Sequence, residues 1–168
     1  MARPNLSSTV AMMTSLAGLA AATSEFHVPK FSAFSPSGRP GSSGYCQMEF
    51  TIVDVATLTQ TECQPVFTCH QVDGETFLPF PDAAAPVTCE DNTFRVHLQD
   101  YAHVGNFRLH IEHTNSASAT SAGLSNVISY DNYSRADGYV FICGAGGVCE
   151  SRFDNESIPI VVPFSVQA

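Results

Sequence analysis

Two histidines and a glutamate stand at positions from which they could act together on a substrate. His97 lies in the segment FRVHLQ, and His110 and Glu112 lie in the segment FRLHIEH. Imidazole and carboxylate groups can exchange protons as general acids and bases. With Arg95 they would make a polar site for a small hydrolase. A polar face is also expected on any sheet with one side in water, so the hydrolase is kept as an alternative and we predict that the protein is not an enzyme.

The same residues offer part of a metal site. A zinc ion takes three or four protein ligands, and Glu112 is the only obvious third ligand beside His97 and His110. The run His110-Ile111-Glu112-His113 also differs from HExxH, the zinc-protease motif, which needs both histidines on one face of a helix. In a strand, His110 and His113 point to opposite faces. We therefore predict no metal site and no cofactor.

A predicted β-hairpin positions these side chains. In residues 94–99 and 107–112, apolar and polar residues alternate strictly. This pattern predicts two strands, each with one buried face and one face in water, and it places the candidate residues on the face in water. The link, residues 100–106, contains Gly105 and Asn106 and is the predicted turn.

Two registers of this hairpin are compatible with the alternation. One pairs Arg95 with Glu112 and His97 with His110. The other, shifted by two residues, places Arg95 opposite His110 and His97 opposite Arg108. We favour the first, since opposite charges then face each other across the strands.

The rest of the sequence predicts further short strands and no helix. Apolar alternation predicts strands in residues 25–34, 45–55, 124–133, 139–143 and 158–166, and a short strand within residues 63–72. Pro29 places the first strand at an edge or a bulge. Residues 114–123 are low in complexity and predict a mobile surface loop. The predicted fold is all-β, an antiparallel barrel or sandwich.

Six cysteines predict a disulfide-stapled domain. They are Cys46, Cys63, Cys69, Cys89, Cys143 and Cys149. An even number of cysteines in a secreted chain is typical of a disulfide framework. The residues alone do not choose the pairing, although the short Gly-rich spacer between Cys143 and Cys149 favours a local disulfide there.

The N-terminal segment has the outline of a secretory signal peptide. Arg3 precedes an apolar run over residues 10–22 that ends in small residues. The run is too short to span a bilayer comfortably, which disfavours a membrane anchor. We place cleavage after Ala22, which gives a leader of residues 1–22 and a single β-barrel domain of residues 23–168.

Charge and sequons fit a secreted protein that binds neither nucleic acid nor membranes. The chain has 7 basic and 16 acidic residues and a net charge of −9, so its surface repels nucleic acid and anionic lipid. Two sequons, at Asn132 and Asn155, are candidate N-glycosylation sites. The predicted location is extracellular.

Three stretches combine cysteines with strand-like alternation. The first joins residues 26–34 (FHVPKFSAF) through a Ser- and Gly-rich loop to residues 45–54 (YCQMEFTIVD). The second is residues 87–98 (VTCEDNTFRVHL), and the third is the late cysteine pair with its Gly-rich spacer, residues 143–149. Together, over most of residues 26–166, they resemble the major Alternaria allergen family of secreted fungal proteins. The resemblance implies a compact disulfide-stapled β-barrel, an AA1-like domain.

The resemblance also implies a disulfide pattern and a way of acting. The implied pairs are Cys143 with Cys149, Cys89 with either Cys63 or Cys69, and Cys46 with the one that remains. The extra cysteine and the short spacer depart from the family pattern. Members of the family look like secreted factors at the host or plant interface, such as allergens, elicitors or effectors, and not like catalysts.

We therefore predict a secreted fungal effector- or allergen-like protein that binds a host or plant extracellular protein without catalysis, with a homodimer as a candidate state. One alternative is the small hydrolase described above. The other is a carrier of a small apolar ligand, because the 12 phenylalanines could line a pocket in the barrel. A filled core explains these phenylalanines equally well.

Overall fold

Eleven strands form in the part of the chain that this computed structural model describes, residues 24–115 and 118–167. The strands are β1 (Glu25–Ser35), β2 (Tyr45–Asp54), β3 (Thr59–Cys63), β4 (Val66–Thr68), β5 (Val87–Thr88), β6 (Phe94–His103), β7 (Asn106–Thr114), β8 (Thr120–Leu124), β9 (Tyr139–Cys143), β10 (Cys149–Asp154) and β11 (Ile160–Gln167). Over these residues the one helical element is a 3-10 turn, Arg135–Asp137. The all-β prediction is confirmed.

The strands form a nearly closed antiparallel barrel. Its order of hydrogen-bonded neighbours is β3-β2-β1-β11-β8-β7-β6-β5, with β4 on β2 and with β10 between β1 and β9. The two ends of this order are joined by the disulfide between Cys63 and Cys89. They are also joined by a hydrogen bond of 2.9 Å from the backbone N–H of Glu90 to the carbonyl of Glu62. A covalent link and a main-chain link therefore bridge the gap that strand pairing leaves open.

Strand β1 has two successive partners on one of its sides. Residues 25–28 pair with β11, residues 30–35 pair with β10, and β2 runs along the other side. The pairing with β2 shifts register between His27 and Lys30. This irregularity lies at Pro29, which has no N–H to donate to a ladder. The prediction of an edge or a bulge at this proline is confirmed.

Aromatic side chains fill the barrel interior. The ring of Phe31 lies at the centre, with its centroid 5.8–6.3 Å from the rings of Phe50, Phe107, Tyr139 and Phe153. Pairs at this separation add to the stabilisation from burial. The five rings come from five strands, so a ligand inside the barrel would have to displace them. This packing favours the filled core over the apolar-ligand carrier as the explanation of the phenylalanines.

The central hairpin has the register that the charge argument favours. Strands β6 and β7 pair with Arg95 opposite Glu112 and with His97 opposite His110. The inward positions of both strands are buried. The alternation thus sets the face on which each side chain lies, as predicted.

The hairpin turn is shorter than the predicted link, residues 100–106. Strand β6 continues through an irregular stretch to His103, which pairs with Asn106. Within this stretch Asp100 has a φ of 47°, a left-handed conformation that aspartate tolerates better than most residues. The bulge absorbs the residues that the sequence assigns to a loop.

The hairpin tip packs against β9 and β10. A Cβ atom on Gly105 would collide with the ring of Phe141, so glycine is needed here for the close approach of that ring. The hydroxyl of Tyr139 donates a hydrogen bond of 2.8 Å to the carbonyl of Gly105. The hydroxyl of Ser151 donates to the carbonyl of Val104. These contacts hold the tip on the neighbouring strands.

One predicted loop and one predicted strand are wrong. Residues 120–124 form β8, which pairs with β7 and β11, whereas the low complexity of residues 114–123 predicts a loop. Residues 125–133 are irregular apart from a bridge between Ile128 and Phe107. An apolar run alone does not separate a strand from buried irregular chain.

All six cysteines pair within the chain. The disulfides are Cys46–Cys69, Cys63–Cys89 and Cys143–Cys149. The local pair is confirmed, and Cys63 is the partner of Cys89. Three disulfides indicate an oxidising environment such as the extracellular space. The predicted homodimer would therefore have to form without a disulfide between chains.

The described strands all belong to one continuous sheet. The predicted leader, residues 1–22, and its cleavage site after Ala22 lie outside the described residues. Among the residues that are described, no helix is long and apolar enough to cross a membrane.

Candidate functional site

The outer face of the β6–β7 hairpin brings two histidines together. His97 and His110 are directly opposed in the register, and their rings stack with centroids 4.3 Å apart and planes 21° from parallel. Opposed residues of antiparallel strands have Cβ atoms about 4.5–5.5 Å apart. The stacking therefore follows from the register without any unusual backbone geometry.

Glu112 joins this pair and Arg95 does not. Glu112 lies on the same face two residues after His110, with its Oε1 3.8 Å from Nδ1 of His110. One candidate ligand atom from each of His97, His110 and Glu112 lies within 4.8 Å of the other two. Arg95 is exposed. Among the ion pairs of the described residues, none joins Arg95 to Glu112. The structure thus assembles three of the four predicted residues.

His97 is buried, which corrects the prediction that this face lies in water. Its exposed fraction is 5%. The segment between β4 and β5 runs beside β6, where the N–H of Leu98 donates a hydrogen bond of 2.7 Å to the carbonyl of Pro81. Asp82 lies near enough for its charge to act on His97. The side-chain amide of Gln99 donates a hydrogen bond of 3.0 Å to Nε2 of His97.

Burial makes both histidines weaker bases. It lowers the pKa of His97 and the pKa of His110, because the charged imidazolium loses hydration. The charge that His110 carries when protonated lowers the pKa of His97 further, whereas Glu112 and Asp82 act in the opposite direction. For His110 the opposing carboxylate is Glu112. Near neutral pH the site therefore presents two neutral imidazoles beside a carboxylate, and Nδ1 of His110 has no hydrogen-bond partner.

We expect the free energy of unfolding to fall as the pH is lowered from about 6.5 towards about 5. The native pKa values of His97 and His110 lie below those of the unfolded chain, so in this range the unfolded state binds more protons and is favoured. Urea unfolding at a series of pH values, in the presence of a chelator, measures the slope. The variant with His97→Gln and His110→Gln should lose most of it.

A matched control for this prediction is His27→Gln. The Nε2 of His27 lies 2.8 Å from Oε1 of Glu25 on β1, and both side chains are only partly buried. The contribution of the stacked histidines to the slope should persist in this variant. An equal slope in the wild type and the doubly substituted protein would contradict the assignment of the pH dependence to the stacked histidines.

A second histidine–carboxylate pair, inside the barrel, escapes the sequence analysis. Nδ1 of His113 donates a hydrogen bond of 2.6 Å to Oδ2 of Asp54, and their side chains are 5% and 2% exposed. The His113 ring also stacks on Phe94, with centroids 4.0 Å apart. Oδ1 of Asp54 accepts a hydrogen bond of 2.9 Å from the N–H of Ala56. The alternation of β2 does predict that Asp54 points into the barrel, because it lies two residues after the inward-facing Ile52.

The outer face of five other strands carries a second candidate surface. The register aligns one residue from each of β4, β2, β1, β10 and β9 in a single line across the sheet. We call this line the cross-strand row; it consists of Val66, Gln47, Phe34, Glu150 and Ile142. Three of its members are apolar and exposed: Val66 (41%), Phe34 (41%) and Ile142 (56%). Exposed apolar side chains are thus spaced along one face of the barrel.

A groove beside the cross-strand row is acidic. It has a volume of about 250 Å³, and its walls include Phe34 and Val66. They also include the carboxylates of Glu49 and Glu150, and no basic side chain among the described residues lines the groove. The groove therefore presents an apolar surface next to negative charge.

Both candidate glycosylation residues use their side-chain amides in local hydrogen bonds. Nδ2 of the exposed Asn132 donates a hydrogen bond of 2.6 Å to the carbonyl of Val127. Nδ2 of the half-buried Asn155 donates one of 3.1 Å to the carbonyl of Asp137, and its Oδ1 accepts one of 3.1 Å from the N–H of Ser157. Glycosylation stays a prediction for both residues.

No protein-family model, no curated protein and no solved structure matches this chain. The resemblance to the major Alternaria allergen family stays a prediction.

Proposed function

We propose that the protein is a secreted, non-catalytic binding module, of the effector or allergen-like kind made by fungi, and that its partner is a host or plant extracellular protein. The proposed contact surface is the cross-strand row with the acidic groove beside it. The row carries the proposal, because a protein interface needs exposed apolar side chains at its centre and polar groups around them. Gln47 and Glu150 supply polar groups between the apolar ones.

The charge of this surface indicates the chemistry of the partner. Among the described residues, the groove is lined by two carboxylates, Glu49 and Glu150, and by no basic side chain. The whole chain has a net charge of −9. Complementary charge steers association and disfavours wrong partners. The partner is therefore a protein whose contact surface is basic around a protruding apolar side chain.

Disulfides hold the strands of this surface in place. Cys46–Cys69 ties β2 to the chain just after β4. Cys143–Cys149 closes the hairpin of β9 and β10. Both sides of the cross-strand row are thus covalently fixed before a partner arrives. A preorganised surface loses less conformational entropy on binding than a flexible one.

The test is a comparison of wild-type and variant protein, secreted from a eukaryotic host and immobilised. We expect the wild type to retain a basic protein from plant apoplastic fluid and to release it in high salt, since screening weakens charge pairing. Phe34→Asp should lose that protein. With the purified partner, the dissociation constant should rise about 30-fold, the effect of removing a typical hot-spot residue.

The matched control is Phe77→Asp. Phe77 is 68% exposed but lies between β4 and β5, outside the cross-strand row. This variant should retain the same protein as the wild type. If no protein is specifically retained, or if Phe34→Asp retains the same protein equally well, the proposed function is overturned.

A further inference from the structure

We propose that His97, His110 and Glu112 form a binding site for a divalent transition-metal ion of the zinc type. The site lies on the outer face of the β6–β7 hairpin, away from the cross-strand row, and it is independent of the proposed binding function. The three side chains come from two adjacent strands, and one candidate ligand atom of each lies within 4.8 Å of the other two. Their positions follow from the register, which is fixed along the hairpin.

An unsatisfied nitrogen is the strongest sign of a ligand at this site. Among the described residues, Nδ1 of His110 is the buried side-chain atom for which no hydrogen-bond partner exists. Oε1 of Glu112 is 3.8 Å from this nitrogen, beyond hydrogen-bond distance. A buried polar atom without a partner destabilises the fold, because it has lost its hydration without gaining a hydrogen bond. An ion placed between this nitrogen and the carboxylate would satisfy both.

The donor set favours a borderline transition metal. Two neutral imidazoles and one carboxylate suit zinc, copper, nickel or iron, whereas calcium and magnesium prefer oxygen ligands alone. Three protein ligands are the usual number where a zinc ion keeps a further coordination position for water or another molecule. A closed structural site would instead take four ligands from the protein.

Small side-chain movements complete the geometry. In a tetrahedral zinc site the ligand atoms lie about 3.4 Å apart, as Zn–N distances of about 2.0–2.1 Å require, so the present cluster must contract slightly. The lone pair of an imidazole nitrogen lies in the ring plane, so the two nearly parallel rings must also turn relative to each other. The terminal χ2 torsion of histidine is broad and permits this turn.

The surroundings are suited to holding a cation. Gln99 occupies the lone pair on Nε2 of His97 with its amide N–H, and an ion bound at that nitrogen takes the place of this donor. Asp82, on the segment beside β6, adds a second negative charge close to His97. Glu112 and Asp82 together offset the charge of a divalent ion.

Calorimetric titration of Zn²⁺ into the tag-free, disulfide-intact protein at neutral pH tests the proposal. We expect one ion to bind per chain. His110→Gln and His97→Gln should each weaken binding about 100-fold, at least as much as the loss of a residue that only supports a metal ligand. Co²⁺ should give the visible absorption of a bound ion in the wild type and not in these variants. Ca²⁺ should give no heat of binding.

The matched control is again His27→Gln. His27 also lies beside a glutamate, but the residues opposite it on the neighbouring strands are Val161 and Val53. This variant should bind Zn²⁺ like the wild type. Circular dichroism confirms that each variant is folded, and Glu112→Gln gives a third variant if a histidine variant unfolds. Binding that is undetectable in the wild type, or that is unchanged in folded variants of the cluster, overturns the proposal.

Discussion

Replacing Cys63 and Cys89 together by alanine is expected to lower the free energy of unfolding by about 3.5 kcal/mol. The two residues are 26 positions apart in the chain, and a cross-link over that length removes much of the conformational freedom of the unfolded state. The side chains are also buried, at 0% and 5% exposure, so their removal leaves a small cavity. Urea unfolding, compared with the wild type, measures the difference.

The matched control for the barrel disulfide is the pair Cys143 and Cys149, which are 6 positions apart. Its replacement by alanine should cost about 2.4 kcal/mol, because the closed loop is shorter. If the local pair proved to be as costly as the barrel pair or more so, the closure of the β3–β5 gap would not be the main role of Cys63–Cys89. Alanine at both positions also avoids a free thiol that could form other disulfides.

Replacing Asp54 by alanine is expected to lower the free energy of unfolding by about 3–5 kcal/mol. The change removes the buried carboxylate that accepts the 2.6 Å hydrogen bond of His113 and leaves the imidazole without a partner inside the barrel. It also frees the N–H of Ala56 at the end of β2. Asp54→Asn, which keeps the shape of the side chain, should cost less. Thermal and urea unfolding provide the measurement.

A double-mutant cycle with His113 separates the pair from general packing. The loss from Asp54→Ala should be much smaller in a His113→Ala background, because the partner is already absent. Glu25→Ala is the surface control: its pair with His27 is partly exposed and should contribute at most about 1 kcal/mol. Additive losses from Asp54→Ala and His113→Ala would show that the two side chains are not coupled.

The sequence predicts a strand most reliably where one face of the strand is apolar and the other is polar. Strict alternation in residues 94–99 and 107–112 predicts the hairpin. Placing Arg95 opposite Glu112 predicts its register correctly, although no ion pair among the described residues joins these two side chains. Strand β8 shows the limit of this reasoning. Its inward residues include Ser121 and Gly123, and a Cβ atom on Gly123 would collide with the carbonyl of Pro163 on β11. The close approach of the β11 backbone leaves no room for a side chain at position 123. The sequence of β8 therefore lacks the apolar alternation that would predict a strand.

The residues of the candidate site could be predicted from the sequence, but the burial of His97 could not. The register places His97 opposite His110. Glu112 lies two residues after His110 in the same strand, so its side chain is on the same face. Nothing local in the sequence shows that the segment containing Pro81 and Asp82 lies beside β6 and buries His97. The segment that makes this contact has no periodic pattern of apolar residues, so the sequence does not predict where it packs. The three-ligand cluster therefore becomes evident only in the folded chain.

The two-part pairing of β1 has a consequence for the order of events during synthesis. Its first residues pair with the last strand, Glu25 with Pro163 and Val28 with Ile160. The rest pairs with β10. A chain emerging from the ribosome can form the local β1–β2 hairpin early, but it cannot complete the barrel until β11 has emerged. Contacts this distant in sequence make folding slow, so one edge of β1 stays open to other chains until β10 and β11 have been synthesised.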